Sequence, residues 1–95
     1  MYDLYIKPTA DRTFKKLSRK DKKQLLIIFK KLNEIRDNPR HEYKHLRKPL
    51  EDFLRVHIDS SFVLIFAVDH ADQKVTVYYY GHHDSVYRWR PKNEE

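Results

Sequence analysis

The hydrophobic period changes from helical to extended beyond Asn38-Pro39, and that change limits the folds open to this chain. From Ala10 to Ile35, apolar residues recur at the three- and four-residue spacing of helices. From Tyr43 onward they alternate, as they do in strands that bury one face. A chain that runs helical and then extended folds as helices laid against one side of a sheet.

The first segment opens with Tyr2, Leu4 and Ile6 in alternation, a short strand ended by Pro8. Thr9 is expected to cap a helix that carries Ala10, Phe14 and Leu17 on one face. Ser18 with Asp21 three residues later resembles a capping box, with Asp in place of the usual Glu or Gln. The next helix then presents Leu25, Ile28, Phe29, Leu32 and Ile35 at helical spacing. Asn38-Pro39 stops it, because proline restricts the residue before it and donates no hydrogen bond. Two helices joined by a tight turn make a hairpin.

In the second segment Leu54, Val56 and Ile58 point one way, and Phe53, Arg55 and His57 the other. Phe62 to Val68 is apolar on both faces, as a central strand covered on both sides requires. Asp69 to Gln73 reads as a hairpin loop, and Val75, Val77 and Tyr79 alternate up to Gly81. The expected architecture is α+β: an N-terminal strand, a helical hairpin, an antiparallel meander giving a sheet of about four strands, and a short C-terminal helical turn. One domain over residues 1–95 accounts for the whole chain. Hydrophobic residues make up 40% of it, enough for one modest core.

Several function classes drop out on composition. No stretch approaches the roughly 18 apolar residues of a membrane span. Met1-Tyr2-Asp3-Leu4 lacks the basic-then-apolar pattern of a secretion signal, so a cytoplasmic address is expected. Without cysteine there is no disulfide framework and no thiolate nucleophile. A single glycine excludes a phosphate-cradling glycine loop. No serine stands in a nucleophile elbow, and no carboxylate pair is placed for glycosidase chemistry. The net charge of +6 is concentrated in three groups. Lys15 to Lys31 reads equally well as a solvated helix face or a nucleic-acid contact; Arg40, Lys44, Arg47 and Lys48 form the second group, and Arg88, Arg90 and Lys92 the third. Clusters of this kind attract phosphate backbones.

The only glycine, Gly81, directly precedes His82-His83-Asp84-Ser85-Val86-Tyr87-Arg88-Trp89-Arg90. These side chains move protons and hold phosphates near neutral pH. The placement points to a backbone shaped for a site. His83 and Tyr87, four apart, would share a face on a helical turn. Trp89 reads as an anchor for the tail rather than a base-stacking platform. A metal site at His82-His83 would need both rings on one side, whereas neighbours in an extended chain point apart. Asp84 and His70 offer no recognised ligand spacing, so no metal and no other cofactor is expected. His57 and Arg55 lie side by side on the strand face turned away from the helices, and the end of the last strand could bring His83 and Tyr87 to the same concavity. RNA is cleaved when its 2′-hydroxyl attacks the adjacent phosphate. An enzyme then needs a base, an acid for the leaving 5′-oxygen and cations for the transition state. His57, His83, Tyr87 and Arg55 supply those types.

The ordered series Asn38-Pro39-Arg40, Leu46-Arg47-Lys48-Pro49-Leu50, Phe53-Leu54-Arg55-Val56-His57-Ile58, Phe62-Val63-Leu64-Ile65-Phe66 and Gly81 to Arg88 resembles the RelE/ParE superfamily of type II toxins. The resemblance covers nearly the whole chain. It implies a toxin that cuts messenger RNA in the ribosomal decoding site and is held inactive by a cognate antitoxin. Val63 stands where the RelE subgroup often carries arginine, and His57 and His83 stand where the histidine-using YafQ branch carries its histidines. Lys48 departs from that branch, which has histidine there. The implied catalytic set is His57, His83, Tyr87 and Arg55, with Lys44, Arg47, Lys48 and Arg88 on RNA phosphates. The implied partners are antitoxin, messenger RNA and ribosome, with no membrane and no small-molecule cofactor. The alternatives are a ParE-like inhibitor of DNA gyrase without nuclease activity, and a non-enzymatic nucleic-acid-binding module.

Overall fold

The computed structural model describes residues 1–92. Its elements run β1 (Asp3–Ile6), α1 (Pro8–Lys20), α2 (Lys22–Asp37), β2 (Lys44–His45), β3 (Leu54–Ile58), β4 (Phe62–Asp69), β5 (Lys74–His82) and α3 (His83–Val86). The strands form one sheet in the order β1-β5-β4-β3-β2, with the helical hairpin on one face. β3, β4 and β5 make the expected antiparallel meander. β1 departs from the expected antiparallel sheet: it runs parallel to β5, with Leu4 beside Val75 and Ile6 beside Val77. Strands joined by tight turns must alternate in direction, but β1 meets β5 only after the whole chain has intervened, so turn geometry does not dictate its direction.

Both expected helix starts shift. α1 begins at Pro8, with Lys7 as its N-cap and no side-chain cap. Proline's fixed φ suits the first helical position, which draws the start ahead of Thr9. Ser18 is not a cap either. It lies inside α1, where its hydroxyl donates to the Lys15 carbonyl at 2.6 Å. The cap of α2 is Asp21, whose carboxylate accepts from the Gln24 N–H at 3.0 Å. The expected C-terminus of α2 holds, with Asn38 as C-cap.

The core lies between the hairpin and the sheet. Ala10, Phe14, Ile28, Leu32 and Ile35 of the helices meet Ile58, Leu64, Phe66, Val75, Val77 and Tyr80 of the strands. Val63 and Ile65, on the other face of β4, are also buried, so the central strand is covered on both sides as its sequence requires. A bulge opposite Ile65 and Phe66 breaks the alternation of β5. Phe66 pairs with Val77 and Ile65 with Tyr79, leaving Tyr78 as the extra residue. Tyr79 therefore leaves the face of Val75 and Val77, and Tyr80 takes its place in the core. The Tyr80 ring stacks on Phe62 at 5.4 Å, and its hydroxyl accepts from the Gln24 amide at 2.6 Å. Burial raises the Tyr80 phenol above its ordinary value, more than the Gln24 bond lowers it, and the Asp59 and Asp21 charges add to the rise. Among the described residues no helix is long and apolar enough to cross a membrane.

Candidate active site

Strand pairing brings distant residues into rows on the face away from the helices. His57 stands beside Val63, which stands beside Gly81. One row along, Arg55 stands beside Ile65, and Lys44 of β2 lies opposite Arg55. The alternation of β3 thus does what its sequence implies: Ile58 is buried under the helices, and His57 is exposed on the other side.

These rows floor a hollow of about 510 Å³. His57 and Arg55 line it from β3, Arg47 and Lys48 from the loop before β3, and His83, Tyr87 and Arg90 from the C-terminal segment. The four sequence-derived catalytic candidates therefore converge on one cavity. Among the described residues no carboxylate lines it, while Arg47, Lys48, Arg55 and Arg90 do. Among the described residues none of these four cations forms an ion pair with a carboxylate. Uncompensated cations beside low-dielectric walls make the hollow attractive to a polyanion.

The C-terminal residues sort by helical winding. The Arg88 N–H donates to the Ser85 carbonyl and the Trp89 N–H to that of Val86, so the turn of α3 continues past its last residue. His83, Val86, Tyr87 and Arg90, spaced as one helical stripe, face the hollow. Ser85 and Arg88 fall on the adjoining stripe and line a neighbouring hollow of about 300 Å³ with Tyr78, Tyr79 and Trp89. Arg88, expected among the phosphate contacts, thus lines this second hollow rather than the first. Arg90, placed by sequence in the third basic group but not among the implied catalytic or RNA-binding residues, lines both. The i, i+3, i+7 relation from His83 is the signal that points to it. Lys44 is placed by its pairing with Arg55 and does not line the main hollow.

Trp89 fixes this segment. Its ring meets Phe53 edge-on at 5.1 Å and lies near Tyr78 and Tyr79, at 6.2 and 6.3 Å, so it anchors the tail as expected. The glycine before the cluster has a different role from the one its position implies. Gly81 does not have positive φ. It lies under the Tyr79 phenol instead: a Cβ at Gly81 would meet Tyr79 Cζ at 2.7 Å and Cε2 at 2.9 Å, as well as the hydroxyl oxygen. The bulge puts Tyr79 on this face, and only a residue without a side chain fits beneath it.

His83 is held at both ends. Its N–H donates to the Ser61 carbonyl at 2.9 Å, and its Nδ1 lies 3.0 Å from an Asp84 oxygen. A carboxylate on Nδ1 fixes ring and tautomer and leaves Nε2 for proton transfer. Tyr87 is 77% exposed and reaches past the protein surface. Its hydroxyl makes no hydrogen bond among the described residues. His82 and His83 do not point apart as an extended chain would have them. β5 ends at His82 and α3 starts at His83, and the change of backbone brings the two rings to 4.4 Å. His70, the other histidine considered as a ligand, accompanies neither: its Nδ1 is 3.0 Å from the Tyr2 hydroxyl.

No family model matches the chain. It is 51% identical over 88 residues to a protein of Methanocaldococcus jannaschii named "Putative toxin RelE4", covering 93% of both chains. Among solved structures, the YoeB/ParE toxin from Agrobacterium tumefaciens superposes with a TM-score of 0.76 at 13% identity, covering 85% of this chain and 98% of that one. A chain of the intact E. coli RelBE toxin-antitoxin complex superposes with a TM-score of 0.68 at 26% identity, covering 86% and 96%.

Proposed function

This chain belongs to the RelE/ParE superfamily of type II toxins, and we propose that it acts as a metal-independent endoribonuclease on messenger RNA presented by the ribosome. The observation that carries this reading is the convergence of His57, His83, Arg55 and Tyr87 on one hollow bordered by Arg47, Lys48 and Arg90. One imidazole takes the proton of the 2′-hydroxyl as its oxygen attacks phosphorus. The other gives a proton to the departing 5′-oxygen. Arg55 stabilises the charge that builds on the phosphorus oxygens. Tyr87, exposed at the rim, orients the RNA or donates a proton through its hydroxyl. Arg47, Lys48 and Arg90 hold the flanking phosphates at the hollow, and Lys44 and Arg88 extend that track on either side. The products carry a 2′,3′-cyclic phosphate or 3′-phosphate and a 5′-hydroxyl.

An exposed cavity with this charge needs a cover when the toxin is silent. A cognate antitoxin with acidic or amphipathic character is the partner its charge favours, and the RelBE complex in which the neighbouring fold was solved supports such a pairing. Messenger RNA and ribosomes as targets place the protein in the cytoplasm. Primer extension on transcripts after induction tests the reading, with a gyrase supercoiling assay beside it. Discrete cuts with 5′-hydroxyl ends are expected, together with unaffected supercoiling. Intact transcripts with blocked supercoiling would instead put the protein with the gyrase inhibitors.

A further inference from the structure

We infer that His82, His83 and Asp84 form a binding site for a divalent transition-metal ion, and that occupying it takes His83 out of proton transfer. The second half rests on the cleavage reading above; the first does not.

Three donor atoms, one from each residue, lie within 4.8 Å of one another at the junction of β5 and α3. His82 Nδ1 is 3.4 Å from one Asp84 oxygen, and His83 Nδ1 is 3.0 Å from the other. A tetrahedral ion with bonds of about 2.0–2.1 Å holds its ligands about 3.3 Å apart. The two His–Asp distances, each to its own carboxylate oxygen, are near that edge length, and small side-chain rotations bring the remaining separations to it. The Asp84 N–H donates to His82 Nδ1 at 3.2 Å, so that nitrogen carries a lone pair rather than a proton. An ion bound there takes this lone pair over from the N–H, and the Asp84 carboxylate beside it supplies negative charge. All three side chains are part-exposed, so water can complete the coordination.

Two imidazoles and a carboxylate select Zn²⁺, Ni²⁺ or Cu²⁺ over Mg²⁺ and Ca²⁺, which prefer oxygen alone. The consequence for His83 follows from its two nitrogens. With Nδ1 on the metal, the remaining nitrogen carries the ring's only N–H. No lone pair is then left on the ring, so His83 can neither take the proton of the 2′-hydroxyl nor stand as an imidazolium acid. The ion is thus an inhibitor of a reaction that itself uses no metal.

The test uses the full chain without a histidine tag, and His82→Asn. Asparagine keeps an acceptor for the Asp84 N–H and removes the imidazole. His82→Gln serves as the second variant should His82→Asn fold poorly. Titration with Co²⁺ is followed by visible absorption, which needs no activity. The wild type should develop the intense bands of a four-coordinate site, displaced by one equivalent of Zn²⁺. The variants should bind at least about tenfold more weakly, the scale on which even indirect support of a metal ligand counts. In the cleavage assay, Zn²⁺ should suppress the wild type about tenfold or more and leave His82→Asn active. Equal Co²⁺ spectra in wild type and variants overturn the site. Equal Zn²⁺ inhibition of both, or no inhibition of the wild type, overturns the effect on His83. A wild type that cuts no RNA even without metal would sink the cleavage reading, and the Co²⁺ spectra would still decide the site.

Discussion

The two faces of the sheet are written by the same three strands and obey different rules. Towards the helices, Ile58, Leu64, Phe66, Val75 and Val77 are aliphatic or aromatic and fully enclosed. On the other side the same strands carry Arg55, His57, Tyr79 and Gly81. The first face needs volume and shape, so one apolar residue does much the work of another. The second needs particular atoms at particular places, and it is stapled by Trp89 rather than by a layer of helices. Damage to one face should appear as lost stability, and damage to the other as lost chemistry.

The largest expected effects separate the faces most cleanly. His83→Ala should reduce cleavage roughly 10²–10⁴-fold, the range for a general acid or base. Its unfolding free energy should stay within about 0.5 kcal/mol of wild type, as for an exposed residue. Leu64→Ala, a neighbour on the core face, should cost about 2–5 kcal/mol. The molecules that remain folded should cleave at the normal rate. Urea unfolding and a cleavage time course on both variants make the comparison. Normal cleavage by His83→Ala would end the histidine mechanism.

Gly81→Ala lies where the faces meet. The added methyl must displace the Tyr79 phenol, which rests near Trp89, and overpacking of this kind costs about 1–3 kcal/mol. Cleavage should fall as well, because the shift reaches His83 two residues on. Tyr79→Ala in the same chain should remove most of the penalty, giving a clear coupling energy in a double-mutant cycle. If the two changes simply add, the close approach is not what requires glycine.

The cationic residues sharpen the contrast through salt. Arg47→Ala with Lys48→Ala should lower the dependence of log affinity on log salt by about 0.7 for each phosphate of single-stranded RNA that is no longer neutralised. The single-turnover chemical step should be nearly unchanged. Lys15→Ala serves as the control. Lys15 pairs with Asp11 at 3.2 Å on an exposed helix surface, and Lys31 pairs likewise with Glu34 at 3.0 Å. That helical run behaves as a partly balanced, solvated face, so its removal should leave the slope close to wild type.

The legible parts of this molecule are those set by period. Helical spacing gives α2 its buried Ile28, Leu32 and Ile35, and alternation puts His57 and Arg55 on the face away from them. What escapes depends on single insertions and long-range pairing. The extra residue in β5 has no signature among three successive tyrosines, so simple alternation puts Tyr79 and Tyr80 on the wrong faces. The direction of β1 is fixed only by the edge it finds. Arg90 is legible as part of a basic cluster, but its place in the main hollow is not, because nothing local says that helical winding continues beyond Val86 to the point where Trp89 docks. The close approach over Gly81 follows from the bulge and is equally hidden.

Tyr80→Phe is the smallest change and asks whether the core face is as indifferent to chemistry as the comparison claims. Tyr80 brings a hydroxyl into that face, 2.6 Å from the Gln24 amide. Phenylalanine keeps the ring stacked on Phe62 and loses that bond. The expected cost at neutral pH is about 0.5–1 kcal/mol, the lower part of the usual range, because Gln24 is only part-buried and its amide can turn to water. The informative difference is at alkaline pH. Burial holds the folded-state phenol of Tyr80 above its ordinary value of 10.0, so the folded protein keeps this proton when the unfolded chain has begun to lose it. The group's stabilisation is complete below about pH 10 and is lost as pH rises from there through the folded value. Tyr43 behaves the same way, raised by burial and then by the Glu34 charge. Tyr80→Phe should therefore make stability fall less steeply above pH 10 while leaving the Tyr43 share in place. Urea midpoints at pH 8 and pH 10.5 measure it: the gap between wild type and variant should narrow at the higher pH. A gap that stays constant would mean that the buried hydroxyl is solvated in the folded protein, and that the core face is as insensitive to it as to any other change of equal volume.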